Sequence, residues 1–386
     1  VRASYVAEAE CQSCHAAETA AWRNSHHALA MAPASETSVR ADFADTSFTH
    51  GGVTTRFAKR DGKFVVETTG PDGAPRADVV KYTFGVEPLQ QYLVERDAGR
   101  VQCLTVAWDT EKKRWFDLYP DETFAPSDAL HWTGRYQRWN VMCAQCHSTN
   151  LVKGYDAPSD GYDTTWSSIE VACQACHGPG SEHAARAHAN ALAPGASGFA
   201  APLRRMEARN QIETCGPCHA MRTPLTDPWI HGEPFLDHFR PELLRAGTYA
   251  PDGQMAAEVY VYGSFLQSKM AQRGVACSDC HDPHSLGLRA SGNLLCTQCH
   301  QLTPPLNRFP TLRAKLYDSP EHHHHAAAEG ERIGAQVFEG DDDDRTAVRL
   351  HAARRSDCRT SCCEAPAASR WNGRKSIDRA RLWVSR

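Results

Sequence analysis

Residues 173–183 read CQACHGPGSEH, with two cysteines three positions apart, a histidine directly behind them, and another histidine six residues further on. The Cys-x-x-Cys-His part occurs six times in the 386-residue chain, and we number the copies motifs 1 to 6. The motif residues, in chain order, are Cys11, Cys14 and His15; Cys143, Cys146 and His147; Cys173, Cys176 and His177; Cys215, Cys218 and His219; Cys277, Cys280 and His281; and Cys296, Cys299 and His300. Twelve of the sixteen cysteines therefore belong to one repeated pattern.

This pattern is typical of covalent haem attachment. The two thiols add to the two vinyl groups of one porphyrin, and the adjacent histidine gives the iron its proximal nitrogen ligand. A zinc site needs four ligands, whereas each motif has three, and a disulfide framework has no reason to place a histidine after every second cysteine. The sequence therefore predicts six covalently bound haem c groups.

A second axial ligand for each iron has to come from outside the motifs, where fourteen of the twenty histidines lie. His183 and His284 follow their own motifs too closely to reach the far face of the same haem, so we expect each to bind a neighbouring iron. The run from His322 to His325 is expected to provide one ligand, with the choice within it open. The distal candidates are His27, His131, His183, His231, His284, His322 and His325. Histidines 26, 50, 188, 238 and 351 remain alternatives.

Composition and charge narrow the class of protein. The net charge of −4 and pI of about 6.6 do not indicate nucleic-acid binding. Six ferric haems with ionised propionates would move the charge to roughly −10, which suits cationic patches on redox partner proteins. The sequence contains no run of 18 apolar residues, so it predicts no membrane span. Thioether attachment of haem takes place outside the bacterial cytoplasm, so we expect a periplasmic or extracellular protein whose signal peptide has been removed.

The distribution of the motifs predicts four parts. Residues 1–47 form a first haem module, and residues 48–125 form a β-rich insert without haem, since strand-like alternation is broken there by DG and PDG turns. Residues 126–325 form a haem-packing domain with five motifs. Residues 326–386 form a poorly packed tail. The predicted fold is a mainly α and irregular multihaem cytochrome c fold organised around stacked haems, with a small inserted antiparallel β domain. The mean hydropathy of −0.53 suggests that the haems provide much of the core.

Several stretches resemble a known family. They are CQSCHAAETAAWRNSHHALA, YTFGVEPLQQYL, HWTGRYQRWNVMCAQCHSTNL, CQACHGPGSEH, EVYVYGSFLQSKM and CSDCHDPHS. Residues 1–335 are similar to secreted multihaem c-type cytochromes related to the cytochrome c nitrite reductase and hydroxylamine oxidoreductase group. The resemblance implies that the histidine of the W-x-x-S-x-H stretch is a distal ligand, which selects His27 over His26.

The tail departs from that family. Its members often continue past the histidine-rich run into another Cys-x-x-Cys-His, whereas Gln336 is followed by VFEGDDDDR without a cysteine pair. A repeated GAC codon encodes aspartates in one frame and threonines in another. The tail after Gln336 therefore supports the hypothesis of a frameshift or sequence error.

The residues favour an electron-transfer protein over an enzyme. Irons with two histidine ligands are coordinatively saturated, and they exchange electrons without binding a substrate. The alternative is a nitrite reductase or hydroxylamine oxidoreductase type of enzyme with one open iron. The first commonly marks that haem with a Cys-x-x-Cys-Lys motif, which does not occur here, and the second needs a modified haem for which no tyrosine is assignable. A subunit of a larger redox complex, oligomer or filament is a third hypothesis.

Overall fold

The computed structural model describes residues 3–193, 197–201, 203, 207–301 and 351–352. The chain divides into two compact units, residues 1–202 and residues 203–383. Motifs 1 to 3 belong to the first unit and motifs 4 to 6 to the second.

The first unit contains an antiparallel sheet to which nine strands of the described residues contribute. The strands are β1 (Met31–Pro33), β2 (Thr46–His50), β3 (Val53–Arg60), β4 (Lys63–Thr69), β5 (Pro75–Phe84), β6 (Leu89–Glu95), β7 (Val101–Cys103), β8 (Val106–Asp109) and β9 (Arg114–Asp117). The sheet runs β2-β3-β4-β5-β6-β8-β9, with β1 paired to β5 and β7 paired to β6. At the β3–β4 hairpin, Asp61 and Gly62 both have positive φ, 51° and 74°, as a tight two-residue turn requires.

This sheet has a core made of protein alone. It curls until β9 reaches β2, where the Trp115 indole donates a hydrogen bond of 3.2 Å to the Thr46 hydroxyl. Inside the curl, the rings of Phe57 and Trp115 stack at 3.5 Å, and Phe43 meets both ring systems edge-on. Such rings each bury a large apolar area, so this part of the fold does not depend on a cofactor for its core.

Short helices and a small hairpin complete the first unit. They are α1 (Glu8–Cys14), α2 (Ala16–Trp22), α3 (Trp139–Met142), α4 (Ala144–His147), β10 (Tyr155–Asp156), β11 (Gly161–Tyr162), α5 (Cys173–His177) and α6 (Ser181–His188). Single 3₁₀ turns span Asp97–Gly99 and Arg135–Gln137. Trp139 is fully buried and packs against the sheet with Tyr82 and Leu93, which fixes the start of motif 2 on that sheet.

The second unit is built from short helices around a smaller core. The elements are α7 (Ala208–His219), β12 (Arg222–Pro224), α8 (Phe235–His238), β13 (Phe239–Pro241), α9 (Val261–Gln267), α10 (Lys269–Gln272), α11 (Cys277–Cys280), α12 (Asn293–Thr297), β14 (His300–Gln301) and β15 (His351–Ala352). Strand β12 pairs with β13, and β14 pairs with β15. Phe235, Phe239 and Tyr262 pack with Ile212 of α7 and hold the helix that ends in motif 4.

The prediction of a mainly α and irregular fold is wrong, since the structure is mainly β and the curled nine-stranded sheet is the largest element among the described residues. The motif spacing indicates where cofactors attach, but it does not indicate how much of the chain packs without them. The low mean hydropathy is an average over polar loops and over strands whose inward residues are aromatic. Examples of these inward residues are Phe57, Tyr92 and Trp115. The average therefore concealed a protein core.

Cys103, which belongs to none of the six motifs, is buried in the sheet at 3% exposure. Among the described residues, every helix is too short or too polar to cross a bilayer.

We expect an Asp117→Asn variant to be more stable than the wild type at neutral pH. Burial raises the pKa of the Asp117 carboxyl, although hydrogen bonds from the Tyr119 amide and the Thr105 hydroxyl and the charge of His50 oppose the shift. A carboxyl whose pKa is higher in the folded than in the unfolded chain favours folding only while it is protonated. The contribution of Asp117 to stability should thus fall as pH rises above about 4, so the stability of the wild type relative to the variant should decrease over that range. Denaturant unfolding between about pH 3 and pH 8 checks this, and an identical pH dependence of both proteins would contradict it.

Candidate haem attachment sites

Motifs 1 and 3 meet through their first cysteines. The thiols of Cys11 on α1 and Cys173 on α5 form a hydrogen bond, and together with a carboxylate oxygen of Glu8 they lie within 4.8 Å of one another. This bond lowers the pKa of Cys11 and raises that of Cys173. The fold thus brings together two attachment sites, at Cys11 and Cys173, that are 162 positions apart in the sequence.

A buried glutamine inside motif 3 holds the two sites together. Gln174 is 1% exposed, and its side-chain oxygen accepts hydrogen bonds of 3.0 Å from the amides of Val6 and Gly180. Its side-chain nitrogen donates to the Val6 carbonyl at 2.7 Å and to Glu8 at 3.2 Å. Ser4 and Ser181 add a second link, because the amide of each donates to an oxygen of the other. The segment before motif 1 is therefore fastened to motif 3.

Motif 2 lies against the sheet and connects to motif 3. Cys143 is buried beside Cys103, and burial raises the pKa of the Cys143 thiol to about 12. The proximal candidate His147 has its ring 4.5 Å from that of Phe84 on β5. Thr149, two residues further on, accepts from the Ala172 amide at 2.9 Å and donates to the Glu170 carbonyl. Motif 2 thus ends at the residues that precede motif 3.

Motifs 4, 5 and 6 approach one another within the second unit. The first cysteines of motifs 4 and 5, Cys215 and Cys277, form a hydrogen bond that lowers the pKa of Cys277 to about 7. Burial lowers the pKa of His219, and the nearby His281 lowers it further. Burial raises the pKa of Cys280 in motif 5. The thiols of motif 6 lie close enough to contribute to this rise. The contact between first cysteines seen in motifs 1 and 3 is therefore repeated by motifs 4 and 5.

Two of the predicted distal histidines lie beside motifs. The ring of His183, on α6, has its centroid 6.0 Å from that of the motif 1 histidine His15. The carbonyl of His27 accepts the Val171 amide at 3.2 Å, and the Trp22 indole donates to the Val171 carbonyl at 2.9 Å. His27 is thereby held next to the residues that enter motif 3.

The other predicted distal histidines have different surroundings. His131 lies at one end of the curled sheet, in a cavity of about 100 Å³, with its Nδ1 2.8 Å from the Thr133 hydroxyl. Burial lowers its pKa. The His231 ring packs on Trp229 at 4.1 Å, and the amide of His284 donates to Asp282 in the turn after motif 5. His322 and His325 lie outside the described residues.

Some of the alternative histidines already have protein partners. The Nε2 of His50 lies 2.8 Å from the Glu122 carbonyl. His238 is buried, with one ring nitrogen on Glu233 and the other on Thr226. The exposed His188 contacts Glu10 at 3.4 Å. Both ring nitrogens of His238 are engaged, so it is a poor candidate for an iron ligand.

The motifs fit haem better than they fit zinc. No disulfide joins any of the cysteines that the structure describes, so every motif thiol in this set can form a thioether. In a zinc site the thiols and imidazole share one ion and lie about 4 Å from one another. Within the described part of the chain, the sole cluster of that kind is Glu8, Cys11 and Cys173, which combines two motifs and includes no histidine. No described motif gathers its own two cysteines and histidine around one point.

Sequence reasoning missed the residues that hold the motifs in place. Gln174 looks like an arbitrary spacer in Cys-x-x-Cys-His, and its burial was not predicted. Asn140, fully buried, accepts the Val101 amide at 2.8 Å and donates to Thr164, which ties motif 2 to the sheet. For Asn140, the available signal is a polar residue within an apolar stretch before a motif. Its hydrogen-bond partners, however, are remote in sequence.

Two segments of the chain match family models. Residues 10–57 match the model described as cytochrome c554 and c-prime, and residues 269–303 match the doubled CXXCH motif, which here covers motifs 5 and 6. Haem c binding through the CXXCH motifs agrees with both matches. A comparison with curated proteins gives no match. Neither model describes the nitrite reductase or hydroxylamine oxidoreductase group, so that relationship remains a prediction.

Two solved structures are similar in fold. The outer cell wall cytochrome OcwA has a TM-score of 0.51 and 17% sequence identity, over 77% of this chain and 67% of that one. The undecaheme cytochrome from the S-layer of Carboxydothermus ferrireducens has a TM-score of 0.42 and 17% identity. The match covers 78% of this chain and 43% of the S-layer protein, so the chain spans less than half the length of that protein. The similarity to OcwA supports the fold described above.

Proposed function

We propose that this multihaem c-type cytochrome carries electrons among six covalently bound haems, most of them with two histidine ligands, outside the cytoplasm. The observation that carries the proposal is the contact between cysteines of different motifs, Cys11 with Cys173 and Cys215 with Cys277. Two cysteines so close together, when attached to different macrocycles, would hold those macrocycles side by side. Neighbouring haems of this kind suit the transfer of electrons from one haem to the next.

Each motif has a defined role in this proposal. When bound, haem contributes an iron that is oxidised and reduced by one electron. The two cysteines of each motif would hold the macrocycle covalently, and each of the six motif histidines would bind an iron. The second ligands are proposed to come from His27, His131, His183, His231, His284, and His322 or His325. Packing around the motifs, such as that of the Phe84 ring against His147, restricts the orientation of the imidazole.

The location and partners follow from the chemistry of attachment. Thioether formation outside the cytoplasm supports a periplasmic or extracellular site, in agreement with the cell-wall location in the name of OcwA. The partners are redox proteins, for which the negative charge of a holoprotein near −10 favours cationic docking surfaces. We also propose that the protein can assemble into an oligomer, a filament or a larger redox complex.

We predict that the intact mass of the mature protein exceeds that of the polypeptide by about six haem masses, one for each motif. Peptide mapping should place one haem on each Cys-x-x-Cys-His. Single Cys173→Ala and Cys103→Ala variants form a matched pair, because only Cys173 is in a motif. The first should weaken attachment at motif 3, and the second should leave the haem count unchanged.

Low-temperature EPR of the same material separates the carrier from the enzyme. Irons with two histidines are low-spin, whereas an open iron with water or no sixth ligand is high-spin. We expect a predominantly low-spin spectrum that integrates to the haem content. One stoichiometric high-spin iron that binds nitrite or hydroxylamine would favour the enzyme hypothesis, and fewer than six haems would show that a motif is not used.

A further inference from the structure

We propose that the cavity at the end of the curled sheet binds a small organic cation, a primary ammonium ion with a few non-hydrogen atoms, through the carboxylate of Asp117. The walls of the cavity come from β2, β3, β4, β8 and β9 and from residues 122–124 and 131–132. Among the described residues that line it, none belongs to a Cys-x-x-Cys-His motif. The site therefore goes beyond the proposed electron transfer, because it is built by the sheet and not by the attachment of haem.

The volume of the cavity sets the size of the ligand. It measures about 100 Å³, whereas a water molecule occupies about 30 Å³ in the liquid. The space thus suits a ligand equal in volume to about three water molecules. A haem or a peptide is far too large for it, and ethylammonium is an ion of the right size.

The charges of the lining favour a cation. The carboxylate of Asp117, at the end of β9, accepts hydrogen bonds from the Tyr119 amide at 2.8 Å and the Thr105 hydroxyl at 3.4 Å. Glu122 is a second acidic residue of the lining, whereas the described lining residues include no lysine or arginine. A positive charge near the Asp117 carboxylate comes from His50, and only while that ring is protonated. An ammonium ligand would supply a charge that persists at neutral pH, as a carboxylate withdrawn from water needs.

The other walls suit an organic cation better than a metal ion. Phe48, Leu104 and Phe124 contribute apolar surface, and aromatic rings attract organic cations. The hydroxyls of Thr55 and Thr68, which lie 2.8 Å apart, can accept hydrogen bonds from an ammonium group. Calcium, by contrast, takes six to eight oxygen ligands. Within the described part of the chain, no three carboxylate or imidazole ligands gather at this cavity.

Hydrogen bonds between the walls form the cavity in advance. The Nε2 of His50 on β2 donates to the Glu122 carbonyl at 2.8 Å, which fastens residues 122–124 to the sheet. The Trp132 indole donates to the Thr69 carbonyl on β4, also at 2.8 Å, which fastens the segment on the other side. A ligand can therefore bind without first ordering these segments, and this lowers the entropic cost of binding.

The test is isothermal titration calorimetry of the holoprotein with ethylammonium chloride at neutral pH. We expect a single saturable site, with no binding of sodium chloride or of ethanol. Asp117→Asn should weaken the affinity by at least about 10-fold, because the ammonium loses its charged partner. Glu111→Gln, which removes an exposed carboxylate outside the cavity, should match the wild type. Equal affinity of Asp117→Asn and wild type, or equal binding of ethanol, would overturn the proposal.

A second pair of variants places the ligand inside the cavity. Val53 on β3 lines the cavity and is 39% exposed, so a phenylalanine there can occupy part of the space without overfilling the core. Val79 on β5 is 48% exposed and is not among the lining residues. We expect Val53→Phe to weaken the binding of ethylammonium and Val79→Phe to leave it unchanged. Wild-type affinity in Val53→Phe would show that the cation binds outside the cavity, and it would refute the proposal.

Discussion

Replacing Trp139 with alanine is expected to lower the free energy of unfolding of the first unit by about 3–5 kcal/mol, the range for deleting a buried tryptophan. Trp139 is 0% exposed and meets Trp166 edge-on at 5.5 Å. Its indole donates to the Met31 sulfur on β1 at 2.9 Å. Since Trp139 precedes Cys143 by four residues, the cavity would also loosen the attachment site of motif 2.

Trp139→Phe is the matched control, because it keeps a ring in the site and loses only the indole nitrogen and part of the volume. Its loss should stay near 1–2 kcal/mol. Denaturant unfolding of the holoprotein, followed by circular dichroism, measures both variants. A loss below about 1 kcal/mol for Trp139→Ala would show that motif 2 does not depend on this contact.

Replacing Gln174 with alanine is expected to release the segment before motif 1, at a cost of about 3 kcal/mol. The change removes four hydrogen bonds and leaves the amide and carbonyl of Val6 without their partners. A local loss of this size raises the exchange rates of the protected amides roughly 100-fold. Hydrogen exchange by mass spectrometry over residues 4–14 and 174–181 measures it.

Gln12→Ala is the control for this prediction. Gln12 occupies the same first spacer position in motif 1 that Gln174 occupies in motif 3, but it is only half-buried. We expect its exchange pattern to match the wild type. Equal effects of the two substitutions would mean that the spacer position itself, and not the buried hydrogen bonds of Gln174, stabilises the motif.

The repeated contact between first cysteines suggests a common rule for both units. Cys11 with Cys173 and Cys215 with Cys277 pair the same motif position, although the surrounding elements differ. The sequence spacings are 162 and 62 positions, as the residue numbers give, so the resemblance arises from packing and not from a chain repeat.

The chemistry of the attachment sites is local, and it could be predicted from the sequence alone. Six short motifs each contain the thiols and the imidazole that one haem needs, and matches at residues 10–57 and 269–303 agree with haem c binding. The alternation and DG turn around residues 53–69 likewise predicted antiparallel strands, because hairpin geometry depends on neighbouring residues. The assignment of distal ligands stays a prediction.

Only the tertiary structure decided how large the sheet is and which motifs meet. The sheet became the main element because Phe57 and Trp115, 58 positions apart by residue number, stack inside it, and average hydropathy does not record such pairing. The contact of Gln174 with Val6 and the position of His183 beside His15 each join residues 168 positions apart. A spacer glutamine acquires its role only when the folded chain brings its partners within hydrogen-bonding distance, because hydrogen bonds act over a few ångströms in space and have no signature along the chain.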